Sequence, residues 1–99
     1  MRENRVKRAL AAGDRSLGTM IFEFPTTGIG RIAAAAGAEF LIYDMEHTGW
    51  STETIALLAA SSGPELVPVV RVPSAEANSI APVLDVGAAG IMVPWVESA

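Results

Sequence analysis

The stretch AGAEFLIYDMEHT, residues 36–48, sets the pattern for the chain. Small residues and a glycine suit the end of a helix. A nearly unbroken apolar run of strand length follows, and then charged groups. VGAAGIMVPWVES, residues 86–98, repeats the order: Gly-Ala, two residues, an apolar strand, polar residues. A strand apolar on both faces belongs in a parallel sheet covered by helices. Working outward, LGTMIFEF (17–24), EFLIYDM (39–45), LVPVVRV (66–72) and GIMVP (90–94) read as four strands, spaced by roughly one βα unit.

Helical segments fill the intervals. Asn4 to Ala12 carries Val6, Ala9 and Leu10 on one face, with Asn4 as cap and Gly13 after the end. Thr26 or Thr27 opens the next helix, which ends at Gly37. Ser51 caps a third helix, stopped by Gly63-Pro64. A fourth runs from about Ser74 or Asn78 to Val86. With Asn78 as cap, Pro82 falls in the first turn, where a missing N–H costs least. Pro68 is compatible with a central strand only near the strand's start. Two architectures fit four such units: a doubly wound sheet, or part of a (β/α)8 barrel, which needs eight strands and about 250 residues.

Composition excludes several functions. The chain has 99 residues, 51% hydrophobic and only 18% charged, which is apolar for a free-standing small domain and resembles the inside of something larger. A net charge of −4 gives no basic field for nucleic acid. The basic cluster Arg2, Arg5, Lys7, Arg8 and Arg15 reads as a solvated helix face. Without cysteine there is no disulfide, zinc–thiolate site or thiol nucleophile. No apolar run approaches the ~20 residues of a membrane helix. With no secretory signal at the N-terminus, a cytoplasmic location is the expectation.

In either architecture ligands sit at the C-terminal ends of parallel strands. The single histidine, His47, lies at one such end beside Asp44 and Glu46, and Arg71 ends the next strand. In a sheet of order 1-2-3-4 these residues converge. An imidazole passes protons near neutral pH, a carboxylate three residues earlier can fix its tautomer, and arginine grips a carboxylate with a planar fork. A base and a clamp suit proton abstraction beside a carbonyl, as in forming the enolate of a 2-keto acid. An enolate also needs a lysine Schiff base or a metal ion. The only lysine, Lys7, is far from the strand ends, which leaves a metal. Structural roles compete with this reading: a packed histidine, Asp44 capping its own loop, Arg71 paired with Glu46 or Glu23. TTGIGR (26–31) lacks a phosphate-binding fingerprint and reads as a turn and helix start. Trp50 and Trp95 read as packing or rim residues.

FLIYDMEHTGWSTETI (40–55), VVRVP (69–73), LDVGAAGIMVPWVESA (84–99) and the opening NRVKRALAAGDRSLGTMIF (4–22) together resemble the HpcH/HpaI aldolase family, which includes 2-keto-3-deoxy sugar-acid aldolases and citrate lyases. The resemblance implies an α/β fold, the N-terminal half of a (β/α)8 TIM-type barrel in which about four parallel strands alternate with helices. Residues 1–99 would then be a partial domain, truncated after strand four. It implies class II aldolase chemistry dependent on a divalent metal (Mg, Mn or Co), a carbon–carbon lyase that cleaves 4-hydroxy-2-oxo acids to pyruvate and an aldehyde. His47 would be the base, Asp44 its partner, and Arg71 the catalytic residue that binds the keto-acid carboxylate. Glu46 would hydrogen-bond the residues that do the chemistry. The family's metal ligands would lie beyond Ala99, so the chain alone is expected to be inactive and to bind no metal tightly. The expected partners are a small 2-keto acid and an aldehyde, with no nucleic acid or membrane, and the full-length parent is expected to form a homo-oligomer. The alternatives are a citrate-lyase or malyl-CoA-type lyase, a small α/β acid-binding module without catalysis, and a half-barrel that pairs with a second copy.

Overall fold

A computed structural model describes residues 3–99, so Arg2 of the basic cluster lies outside the described residues. Four helices and four strands alternate: α1 (Arg5–Ala11), β1 (Gly18–Ile21), α2 (Ile29–Ala35), β2 (Phe40–Asp44), α3 (Thr52–Ser61), β3 (Val67–Arg71), α4 (Ala77–Asp85) and β4 (Gly90–Met92). The strands form one parallel sheet in the order β1-β2-β3-β4. No helix among the described residues is long and apolar enough to cross a membrane.

The quoted repeat works through its glycines. At the end of α2, Gly37 takes φ 106°, a left-handed conformation that side chains resist. Its N–H donates to the Ala34 carbonyl and that of Ala38 to Ala33, at 3.0 and 2.9 Å. Gly87, at φ 119°, ends α4 the same way, with Gly87 N–H on the Leu84 carbonyl and Ala88 N–H on Val83, both at 3.2 Å. These are Schellman closures, which satisfy the last helix carbonyls and turn the chain back. The strand then engages at once: Glu39 N–H donates to the Leu17 carbonyl and Ala89 N–H to that of Pro68.

Alternation along the strands sorts their side chains. Leu41 and Tyr43 of β2 and Val70 of β3, with Val72 just after it, are buried with Ile55 and Leu58 of α3 and Val83 of α4. Burial of each such side chain stabilises by roughly 1.5–3 kcal/mol. α3 packs between α2 and α4, so these helices line one face of the sheet. α2 approaches the end of α3 tightly at Gly30, its one buried residue. A Cβ there would stand 2.8 Å from the Ser62 Cα. Ser62 in turn ties the Tyr43 hydroxyl, at 2.8 Å, to the end of α3. Gly30→Ala would gain up to ~1 kcal/mol of helix propensity but lose ~1–3 kcal/mol to overpacking. We expect a net destabilisation of ~1 kcal/mol, read from the urea midpoint; a raised midpoint would show that α2 slides away freely.

Three sequence expectations change. The first strand stops at Ile21 rather than Phe24, because its last rung pairs Ile21 with Tyr43. Phe22 then turns its ring toward Arg71, 5.7 Å from the guanidinium carbon, and Phe24 takes φ 63°. Neither Thr26 nor Thr27 caps α2; its N-cap is Gly28, and no side chain bonds there. Pro82 lies inside α4, not in its first turn. The helix starts early because Glu76 is extended and its carbonyl accepts from the N–H groups of Ser79 and Ile80. The Ser74 hydroxyl, bonded to Ser79 and to the Glu76 N–H, braces that start. Pro68 does sit near the start of central β3. Its missing donor faces the β4 side, ahead of the first rung, Val69–Gly90.

At the bottom of the sheet, Asn4 caps α1 through the Lys7 N–H and also donates to the Ala89 carbonyl. Arg5 donates to the Glu65 carbonyl. Thus α1 is tied to the entry of β3 and β4, while Arg5, Lys7, Arg8 and Arg15 are exposed, as a solvated face requires.

Candidate active site

The last rung of the sheet brings the charged residues together. Asp44 of β2 pairs with Arg71 of β3, and Arg71 with Met92 of β4. All three fall on the strand face opposite Tyr43 and Val70, away from the helices, by the alternation of the strands. Asp44 is fully buried, and such a charge persists only with partners. It has three. Arg71 Nε donates to Oδ1 at 2.6 Å, the Glu46 N–H to Oδ1 at 3.2 Å, and the His47 N–H to Oδ2 at 2.8 Å. Burial alone would raise the Asp44 pKa. The Arg71 hydrogen bond, the two amides and the guanidinium charge outweigh it and hold the carboxyl below its ordinary value. The Arg71 pKa is raised, chiefly by the hydrogen bond to Asp44.

The expected pairing of Asp44 with the His47 ring is not the arrangement found. At three residues' separation the carboxylate reaches the His47 backbone first, and the chain turns around it. The Thr48 hydroxyl closes this turn by donating to the Asp44 carbonyl at 2.6 Å. The imidazole faces Glu46 instead, with Nε2 3.5 Å from Oε1. Asp44 therefore caps its loop and holds Arg71 at once. Arg71 pairs with Glu46 as well, Nε to Oε1 at 3.3 Å, but not with Glu23 among its ion pairs.

Glu46 is mostly buried, with its second oxygen accepting from the Trp95 indole N–H at 2.8 Å. Trp95, just past β4, thus sits at the rim of the site, and its hydrogen bond to Glu46 is what sequence reading missed. The only signal was its place at a strand end. Trp50 packs against the core, as expected. A cleft of about 300 Å³ opens between Glu46, His47, Arg71, Met92, Pro94 and Trp95. The His47 side chain is 63% exposed in this region, and that of Arg71 only 18%.

These residues do not make a divalent-metal site. No group of three or more carboxylate or histidine side chains converges among the described residues. Asp44 spends both oxygens on Arg71 and amides, and Glu46 spends its own on Trp95, Arg71 and His47.

No family model matches the chain. Among curated relatives, the hydroxypyruvate/pyruvate aldolase of Roseovarius nubinhibens is 40% identical over 97 residues, which are 97% of this chain and 37% of that protein. The 4-hydroxy-2-oxovalerate aldolase of Novosphingobium aromaticivorans is 36% identical over 98 residues, 97% of this chain and 37% of that one. The solved structure of an HpcH/HpaI aldolase from Desulfitobacterium hafniense superposes with a TM-score of 0.87 at 33% identity, covering 94% of this chain and 36% of that one. The chain spans little more than a third of the length of these proteins. Its four parallel strands alternating with four helices match the N-terminal half of their TIM-barrel-like fold. By sequence and by fold, the chain belongs to the HpcH/HpaI aldolase family and corresponds to its N-terminal portion.

Proposed function

We propose that the chain supplies the proton-transfer and carboxylate-binding part of a divalent-metal-dependent aldolase that cleaves 4-hydroxy-2-oxo acids to pyruvate and an aldehyde. One observation carries this reading. Arg71 is locked by Asp44 through Nε and lines a single cleft with the exposed His47 imidazole, both of them facing Glu46 Oε1. Because Nε holds Asp44, the terminal nitrogens of the fork are the atoms that grip the substrate carboxylate. His47 accepts the proton of the 4-hydroxyl. The bond between C3 and C4 then breaks, C4 leaves as the aldehyde, and the electron pair stays with C3 as the enolate. The imidazolium returns the proton to C3, giving pyruvate. When bound, a divalent metal (Mg, Mn or Co) would supply Lewis-acid stabilisation of the enolate; the described residues of this chain do not form its ligand set.

The test is pyruvate release from a 4-hydroxy-2-oxo acid by the complete enzyme, followed through a coupled reductase. His47→Ala is expected to lower it at least ~10²-fold, the scale of a lost acid–base group. Preferential cleavage of a malyl thioester would move the enzyme to the citrate-lyase branch, and binding of keto acids without any pyruvate would leave an acid-binding module.

A further inference from the structure

The end of β4 contributes more than a wall to the cleft. Trp95 is 84% exposed, so packing does not hold its ring in place. Two features hold it instead: a backbone at φ 57°, unusual for a bulky residue, and the indole N–H on Glu46 Oε2 at 2.8 Å. Strained conformations of this kind cluster at functional sites. The other oxygen, Oε1, stands between two groups, 3.3 Å from Arg71 Nε and 3.5 Å from His47 Nε2. Arg71 and His47 both face that one oxygen, so neither fixes the second oxygen or the plane of the carboxylate. The Trp95 indole N–H on the second oxygen does.

We infer that Trp95 is a positioning residue: its indole N–H fixes the Glu46 carboxylate so that one oxygen bridges the Arg71 clamp and the His47 base. Trp95 acts through Glu46 and needs no contact with substrate. Its neighbour Pro94 is buried and anchors the strand end that presents it. The ends of β2, β3 and β4 thus all contribute to one linked set: Glu46 and His47, Arg71, and Trp95.

The test has a structural arm and a kinetic arm. Only the kinetic arm rests on the aldolase reading. The chain has two tryptophans, so its nitrogen–proton NMR spectrum carries two indole signals. Loss of one in Trp95→Phe identifies the Trp95 signal. Glu46→Gln should move that signal upfield, toward a free indole, and Trp95→Phe should move the Arg71 Nε–H signal. An indole signal indifferent to Glu46→Gln, or an Arg71 signal indifferent to Trp95→Phe, overturns the inference even if the enzyme proves to be something other than an aldolase. In the complete enzyme, Trp95→Phe should lower kcat and kcat/KM together by about tenfold, the mark of misplaced machinery rather than lost binding. The Trp95→Phe, Glu46→Gln double variant should lose no more than Glu46→Gln alone, because both act through one carboxylate. Losses that multiply instead would show that Trp95 acts independently of Glu46.

Discussion

Arg71→Lys is expected to lower kcat/KM for pyruvate-forming cleavage by at least ~10²-fold while the chain stays folded. The usual view of this change as conservative fails here because, in the proposed reaction, the guanidinium has two jobs. Nε is committed to Asp44 at 2.6 Å and lies 3.3 Å from Glu46. Only a planar fork has further nitrogens, fixed in the same plane, for a ligand carboxylate. A lysine ammonium that stays on Asp44 gives up the substrate, and one that swings to the substrate leaves Asp44 buried and unpaired. The loss should fall mainly on substrates with a free carboxylate, so esterified analogues, already poor, should be nearly indifferent to the change. Rates within a few fold of the wild type would remove Arg71 from the mechanism.

The second large effect is on stability. Asp44→Asn keeps the shape of the side chain but discards its charge and puts an NH₂ where a donor already points. Breaking a buried pair by removing one partner costs ~3–5 kcal/mol, and the slight exposure of Arg71 places this case near the lower end. For a chain of this length about 3 kcal/mol lowers Tm by at least ~10 °C. Acid should expose the same group. The folded state holds Asp44 below its ordinary pKa, so as pH falls the unfolded chain takes up the proton first. Its contribution is complete above the unfolded value, near ~3.9, and is lost as pH falls through the lower, folded value. Urea unfolding of both proteins at several pH values checks this: their stabilities should converge as the pH falls below about 4. A gap independent of pH would show that packing, not charge, is what Asp44 provides.

The sequence revealed the architecture because helix ends and strand starts are local events. Gly37 and Gly87 close their helices with bonds to carbonyls three and five residues back, and an apolar run follows each time. Strand ends are decided by partners and were less legible. The apolar run through Phe24 could not show that the ladder stops at Ile21, where β2 stops pairing. Asn78 has the chemistry of a cap, yet a hydroxyl pair between Ser74 and Ser79 starts the helix earlier. In the site, parallel order alone put Asp44 and Arg71 on one rung, so that pair was readable. Which His47 atom meets Asp44 was not, because a spacing of three suits the ring or the amide, and the turn decides. The contact between Trp95 and Glu46 spans 49 residues and leaves no trace in any local pattern.

The glycine closures divide the labour within each unit in a way that matters for engineering. A closure fixes where its strand begins, and through the register it fixes which residue reaches the last rung. The residues past that rung line the cleft and take little part in the closure, although Met45 still packs against the core and Pro94 is buried. Residues 46–48 and 95–96 can therefore be exchanged as cassettes, at a cost set by their own turns and by the Trp95–Glu46 bond that joins them. The limit is Asp44, where the capping of one cassette and the clamp of the neighbouring strand share a single carboxylate.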